Sequence, residues 1–220
     1  MAGSFDPAAC RQRLRLGAES LDLALTDTQE QQLMDFLALL IKWNRAYNLT
    51  AVRDPLEMVG RHLLDSLAVL PHLQGQHCLD MGCGPGLPGI PLAILRPDTN
   101  FVLLDSNGKK IRFVRQASLE LGLENVSAVQ QRVEEYRSEV GFDCLVARAF
   151  TDLPRMLALS AHLRSPDSLL LAMKADKAEQ EQALLDDSVS SRIIPLHVPY
   201  TQGSRCLIAV QGPAAANGVD

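Results

Sequence analysis

Apolar residues recur at three- and four-residue spacing through Leu33, Phe36, Leu37, Leu40 and Ile41. That period predicts an amphipathic helix, capped by Thr26 or Asp27 and running to about Asn44. Residues 1 to about 18 show no clear period, and a short helix there fits. After YNLTAV, Asp54-Pro55 reads as cap and first residue of a second helix, continuous to Leu70 and stopped by Pro71. Up to this point the pattern is all-helical.

From His77 the period changes. Short β-rich runs alternate with helical ones. The expected strands are His77–Met81, Phe101–Asp105, Val126–Gln130, Phe142–Ala147 and Leu169–Met173. The expected helices between them are Gly89–Leu95, Lys109–Leu121 and Leu153–Leu163. This alternation implies right-handed crossovers and a parallel sheet covered on both faces. A helix over Ala178–Leu185 and two strands, Ile193–Pro199 and Arg205–Val210, follow. The short TQGS link predicts that the last two strands pair antiparallel at the sheet edge. The pattern divides the chain into a helical extension (1–72), an α/β domain (73–211) and a flexible tail (212–220).

Composition changes this picture little. No run approaches the roughly 18 to 20 apolar residues that a membrane span needs. The N-terminus lacks the apolar core of a secretory signal. Five scattered cysteines without a CxxC favour a reducing cytoplasm and exclude a zinc cluster; no metal is expected. The net charge of −5 speaks against nucleic acid. Its distribution does not, because Asp176 to Asp187 alone holds five acids and one base. Elsewhere Lys109, Lys110, Arg112 and Arg115 cluster with no acid among them.

The candidate chemistry lies in HCLDMGCGPGLPGIPLAIL, His77 to Leu95. A strand runs into glycines and then a helix, the arrangement that brings bare backbone against a nucleotide-like ligand. Gly84 to Gly89 matches GxGxxG, and Asp105 lies 19 residues beyond Gly86, where an acid can accept from ribose hydroxyls. Both features also fit NAD. Asp80, two residues before Gly82, makes the run D-x-G-x-G-x-G, which resembles the S-adenosylmethionine (SAM) loop of Rossmann-like methyltransferases. Pro85 and Pro88 remove N–H donors that a pyrophosphate would want. An antiparallel final hairpin also suits a methyltransferase sheet better than a dehydrogenase.

Three further segments carry a closer resemblance. KWNRAYNLTAVRDPLEMVGRHLLDS (Lys42 to Ser66), LDMGCGPGLPGIPLAILRPD (Leu79 to Asp98) and LLDSNGKKIRFVRQ (Leu103 to Gln116) resemble the bacterial RsmG (GidB) family. NVSAVQQRVEEY and FDCLVARAF match as well, so that most of residues 42 to 150 is covered. Where the family often has Lys-Gly after its fifth strand, this chain has Lys174-Ala175.

The resemblance implies a class I SAM-dependent methyltransferase with a seven-stranded, mostly parallel sheet and an antiparallel last strand. It implies methylation of a guanine N7 in the 530-loop region of 16S ribosomal RNA, with S-adenosylhomocysteine as product. The substrate would be that RNA or a small-subunit particle, met by a monomer in the cytoplasm with no membrane. Gly82, Gly84 and Leu87 would line the methionine side of SAM, Asp105 would take the ribose, and Val133 and Glu134 would frame the adenine. Arg148 would stand beside the transferred methyl and the incoming base.

N7 carries a free lone pair, so no general base is required. Arg148 can donate to guanine O6, to a phosphate or to the SAM carboxylate, or else pair with an acid such as Glu134. RNA phosphates would be tracked by Lys109, Lys110, Arg112 and Arg115, with Arg45, Lys42, Arg53 and Arg61 from the extension. Tyr47 and Phe150 are stacking candidates. His62 and Asp65 read as a helix-surface pair. A dinucleotide oxidoreductase and a non-catalytic RNA-binding assembly factor are the rival readings.

Overall fold

The computed structural model describes residues 5–212. Apart from Gly212, the expected tail lies outside the described residues.

The N-terminal part is helical. Helix α1 (Pro7–Ser20) is capped by Asp6, whose carboxylate accepts from the Ala8 and Ala9 N–H groups. Helix α2 (Asp27–Tyr47) has Thr26 as its cap, in a reciprocal box with Gln29. It runs three residues past the expected end and stops at Asn48, which takes a left-handed conformation.

The second expected helix forms from Pro55 to Leu67, but it is not α-helical throughout. A short α3 (Pro55–Met58) leads into a π-helical turn, Val59–Leu64, and then into α4 (Asp65–Leu67). Pro71 sits in a separate tight turn, Leu70–His72. The π turn admits an extra residue per turn and rotates the helix beyond it. It therefore directs both His62 and Asp65 into the protein, where each is 5% exposed. They are not the surface pair that the helical period alone suggests.

The α/β part has strands β1 (His77–Met81), β2 (Asn100–Asp105), β3 (Val126–Gln130), β4 (Phe142–Arg148), β5 (Arg164–Lys174), β6 (Ser191–Pro195) and β7 (Cys206–Gln211). They form one sheet in the order β3-β2-β1-β4-β5-β7-β6. β1 to β5 are parallel, and β7 runs antiparallel between β5 and β6. Two strand boundaries differ from expectation by more than two residues. β5 begins five residues early, and its register against β4 shifts between Phe142 and Cys144. β6 stops at Pro195, where proline cannot supply a ladder N–H, so the link to β7 is longer than TQGS.

Helices α5 (Gly89–Leu95) and α6 (Gly108–Glu120) cover one sheet face together with α2. Helices α7 (Leu153–Ser160) and α8 (Ala178–Gln182) cover the other. The N-terminal helices share the first core: Leu14, Phe36, Leu40 and Leu64 belong to the same buried cluster as Phe101, Phe113 and Leu207. The extension is therefore built onto the sheet. Chain direction across the sheet reverses between β1 and β4, which opens a crevice beyond the strand ends.

Candidate active site

The loop after β1 is fixed by backbone contacts. The Gly82 and Cys83 N–H groups donate to the Leu104 carbonyl at 2.8 and 3.0 Å. Gly82 and Gly84 both have positive φ, which suits glycine alone in so close a turn. Asp80 is fully buried beneath the loop and accepts from the Gly89 N–H at 2.8 Å. Burial pushes its carboxyl up to about 7, against the pull of that hydrogen bond and of Arg148. Its second oxygen, Oδ1, has no partner among the described residues.

Asp105 ends β2 and joins two segments. Its Oδ2 accepts from Gly84 N–H at 2.9 Å, and its Oδ1 accepts from Asn107 N–H at 2.7 Å. Each oxygen keeps a lone pair for a hydroxyl. Beside it opens a cavity of about 410 Å³, lined among others by Gly82, Asp105, Lys110, Val133, Glu134 and Phe150. That volume suits a nucleoside-sized ligand. A Cβ built on Gly84 would meet only Lys110 Nζ, at 3.9 Å, so the loop is open there.

Not every candidate faces this cavity. Leu87 is 2% exposed and packs in the core under the loop. Lys110 turns inward, with Nζ 3.8 Å from Asp105 Oδ2, while Lys109, Arg112 and Arg115 stay exposed on α6. Arg115 is tied to the Ala128 carbonyl. Arg45 lies apart from α6, in a hollow with Phe5, Arg53 and Pro55. Tyr47 stacks beside Trp43, with ring centroids 5.2 Å apart.

A second cavity, of about 780 Å³, adjoins the first across Ala149, Phe150 and Thr151, which line both. Ala149 has a φ of 49°, in the left-handed region. That bend sets Phe150 over the glycine loop, where a Cβ on Gly82 would lie 2.5 Å from the ring carbon Cδ2.

Arg148 lines the second cavity, and its partner is not Glu134. Arg148 Nη1 donates to Asp65 Oδ2 at 3.1 Å and to the Arg61 carbonyl at 3.0 Å. Glu134 lies instead 3.9 Å from Arg132. The π turn explains the difference, because it carries Asp65 to the end of β4. Arg205, at the foot of β7, reaches the same carboxylate, with Nε 3.5 Å from Oδ1.

His62 Nε2 lies 2.9 Å from Thr50 Oγ1, and Nδ1 lies 3.0 Å from the Arg61 carbonyl. Burial, and then the Arg148 charge, push its imidazole down to about 4. Lys174 Nζ is 2.6 Å from Glu181 Oε2 and donates to the Thr151 carbonyl at 2.7 Å. Arg205 and Glu181 escape sequence reasoning, since no spacing links them to the glycine loop.

A sheet of this order, with a glycine loop after β1, an acid ending β2 and an inserted antiparallel β7, defines a Rossmann-like SAM-dependent methyltransferase. Solved structures share the fold. A methyltransferase from Geobacter sulfurreducens superposes with a TM-score of 0.58 at 20% identity, over 90% of this chain and 97% of its own. A putative O-methyltransferase from Klebsiella pneumoniae gives 0.58 at 14% identity, over 93% and 99%. The chain belongs to the GidB family, described as rRNA small subunit methyltransferase G, whose model matches residues 29–208.

Relatives named ribosomal RNA small subunit methyltransferase G are similar over most of their length. That of Psychromonas ingrahamii is 50% identical over 194 residues, 88% of this chain and 94% of the relative. Those of Aeromonas salmonicida and Escherichia coli (strain SMS-3-5 / SECEC) are 50% and 47% identical over 200 residues, 90% of this chain and 95% and 97% of theirs.

Proposed function

We propose that the protein transfers a methyl group from SAM to a guanine N7 of 16S ribosomal RNA. Family membership carries the activity and the RNA, and the pair of adjoining cavities supports the reading most directly. SAM, made electrophilic at its methyl group by the sulfonium, fits the first cavity. Asp105 holds the ribose with its free lone pairs, and Val133 and Glu134 frame the adenine. Gly82 and Gly84 let the methionine end approach bare backbone. The target base enters the second cavity and meets the methyl group at Phe150.

The N7 lone pair forms the new C–N bond as the C–S bond breaks, and those electrons stay on sulfur. No proton moves, so the site needs alignment more than acid–base chemistry. The neutral state of His62 agrees, because its imidazole is committed to Thr50 and the Arg61 carbonyl. Arg148 donates to the base at O6 and leaves N7 free. The protein works as a monomer in the cytoplasm, on naked RNA or on a small-subunit particle. No helix among the described residues is long and apolar enough to cross a membrane.

The test is to map 7-methylguanosine in 16S RNA from cells with and without this protein. One modified guanine, present only with the protein, is expected. An unchanged map overturns the reading. The oxidoreductase rival predicts NAD binding without SAM binding in the same purified protein.

A further inference from the structure

The second cavity holds a buried carboxylate that methyl transfer itself does not use. Asp65 lies on its wall, with a side chain only 7% exposed. Oδ2 accepts from Arg148, but Oδ1 accepts no hydrogen bond among the described residues. Arg205 Nε stands near it at 3.5 Å, as an ion pair and not as a hydrogen bond. A buried carboxylate oxygen without a donor is costly. The contact that partly offsets the cost is a guanidine group held loosely at the cavity wall.

Guanine carries a guanidine-like group of its own. Along its edge come N7 and O6, both acceptors, and then the donors N1–H and the 2-amino group. The wall of the second cavity carries a complementary set: Phe150 borders the cofactor cavity, Arg148 is a donor on the same wall, and Asp65 is an acceptor 3.1 Å from Arg148. Adenine reverses the middle of this sequence, with an amino donor facing Arg148 and a bare N1 facing Asp65.

We infer that Asp65 is the residue that selects guanine, accepting from N1–H and the 2-amino group as Arg205 gives way. The Arg205 guanidinium occupies the place of the base until the base arrives. Displacing it costs little, since its present contact is off hydrogen-bond geometry. Both Asp65 oxygens then gain donors, and Oδ2 keeps Arg148 through its second lone pair. This assignment rests on the guanine-N7 reading above.

Small-subunit particles reconstituted with 16S RNA carrying inosine in place of the target guanosine test it on the unmodified protein. Inosine keeps N7, O6 and N1–H and lacks only the 2-amino group. With radiolabelled SAM, kcat/KM is expected to fall about 10- to 100-fold. Equal rates on the two RNAs overturn the inference. Asp65→Asn is expected to lose the preference, bringing the guanosine-to-inosine ratio within about threefold, because an N–H donor replaces one acceptor.

A variant that is slower but keeps the full ratio shows Asp65 to be structural, and this also overturns the inference. Neutralising Asp65 leaves Arg148 and Arg205 facing each other, which threatens folding. The double variant Asp65→Asn/Arg205→Gln removes one of those cations and carries the same readout. No transfer to guanosine by the unmodified protein overturns the methyltransferase reading instead, so the two failures are distinct.

Discussion

Gly82 shows how one residue links backbone conformation to ligand binding. Its φ of 67° is strained for any side chain, and a Cβ there would strike the Phe150 ring before it reached any ligand. Gly82→Val should therefore displace Phe150 into the cofactor cavity and weaken SAM binding about 10- to 100-fold. Isothermal titration checks this, and an unchanged Kd places SAM elsewhere. The need for glycine was legible in the sequence. Its neighbour was not, because Phe150 meets the loop only once β4 lies beside β1.

Two buried groups make opposite pH demands. Asp80 titrates at about 7 when folded and at 3.8 when unfolded, so the stability it contributes is lost as pH rises between those values. His62 titrates at about 4 when folded and at 6.5 when unfolded, so its contribution is lost as pH falls between those values. The two slopes oppose each other between about pH 4 and 6.5. Asp80→Asn should steepen the rise of stability with pH in that window, and His62→Gln should turn it towards a fall. Urea unfolding across the window decides, and parallel profiles for the two variants would refute the assignments.

At the scale of elements, the π turn matters most. It is held from both sides. A Cβ on Gly17 of α1 would lie 2.2 Å from Leu64 Cδ1, and one on Gly60 would lie 3.1 Å from the Tyr200 carbonyl. Gly17→Val should cost about 1–3 kcal/mol by overpacking Leu64. It should also slow methyl transfer, because Leu64 precedes Asp65. Chemical denaturation and turnover check the two effects, and a loss below about 0.5 kcal/mol would mean that the contact is slack.

The strands and the glycine loop were legible because each carries a local period or a local turn. The π turn was not. Met58, Val59, Leu63, Leu64 and Leu67 fit one continuous helical stripe whether or not an extra residue intervenes. The polar His62 and Asp65 within that stripe were the only signal, and a surface face accounts for them equally well. The Arg148 partner was missed for the same reason, since the turn brings Asp65 across 83 residues of chain.

At the scale of the molecule, charge is divided across the sheet. Helix α6 packs at the β2–β3 side and carries exposed Lys109, Arg112 and Arg115. Helix α8 packs against β6 and β7 at the other end, within the acidic stretch from Asp176 to Asp187. The crevice between them takes both cavities. This division predicts that an approaching RNA is drawn to the α6 end and repelled at the α8 end, in spite of the net charge of −5. Lys110 takes no part in this, because it faces Asp105. Arg115 is held at the Ala128 carbonyl of the sheet through both Nε and Nη2, whereas Arg112 touches only the Gly108 carbonyl of its own helix through Nε and keeps both terminal nitrogens, so Lys109 and Arg112 are the cations of the helix best placed for phosphate. Removing one cation from a phosphate should lower the slope of log K against log salt by about 0.7 to 0.9. Lys109→Glu/Arg112→Glu should therefore weaken RNA binding and flatten that slope by about 1.5, with SAM affinity unchanged. Filter binding at several salt concentrations measures it. A slope equal to that of the unmodified protein would move the docking face off α6, and a parallel loss of SAM affinity would show that the substitutions had disturbed Asp105 instead.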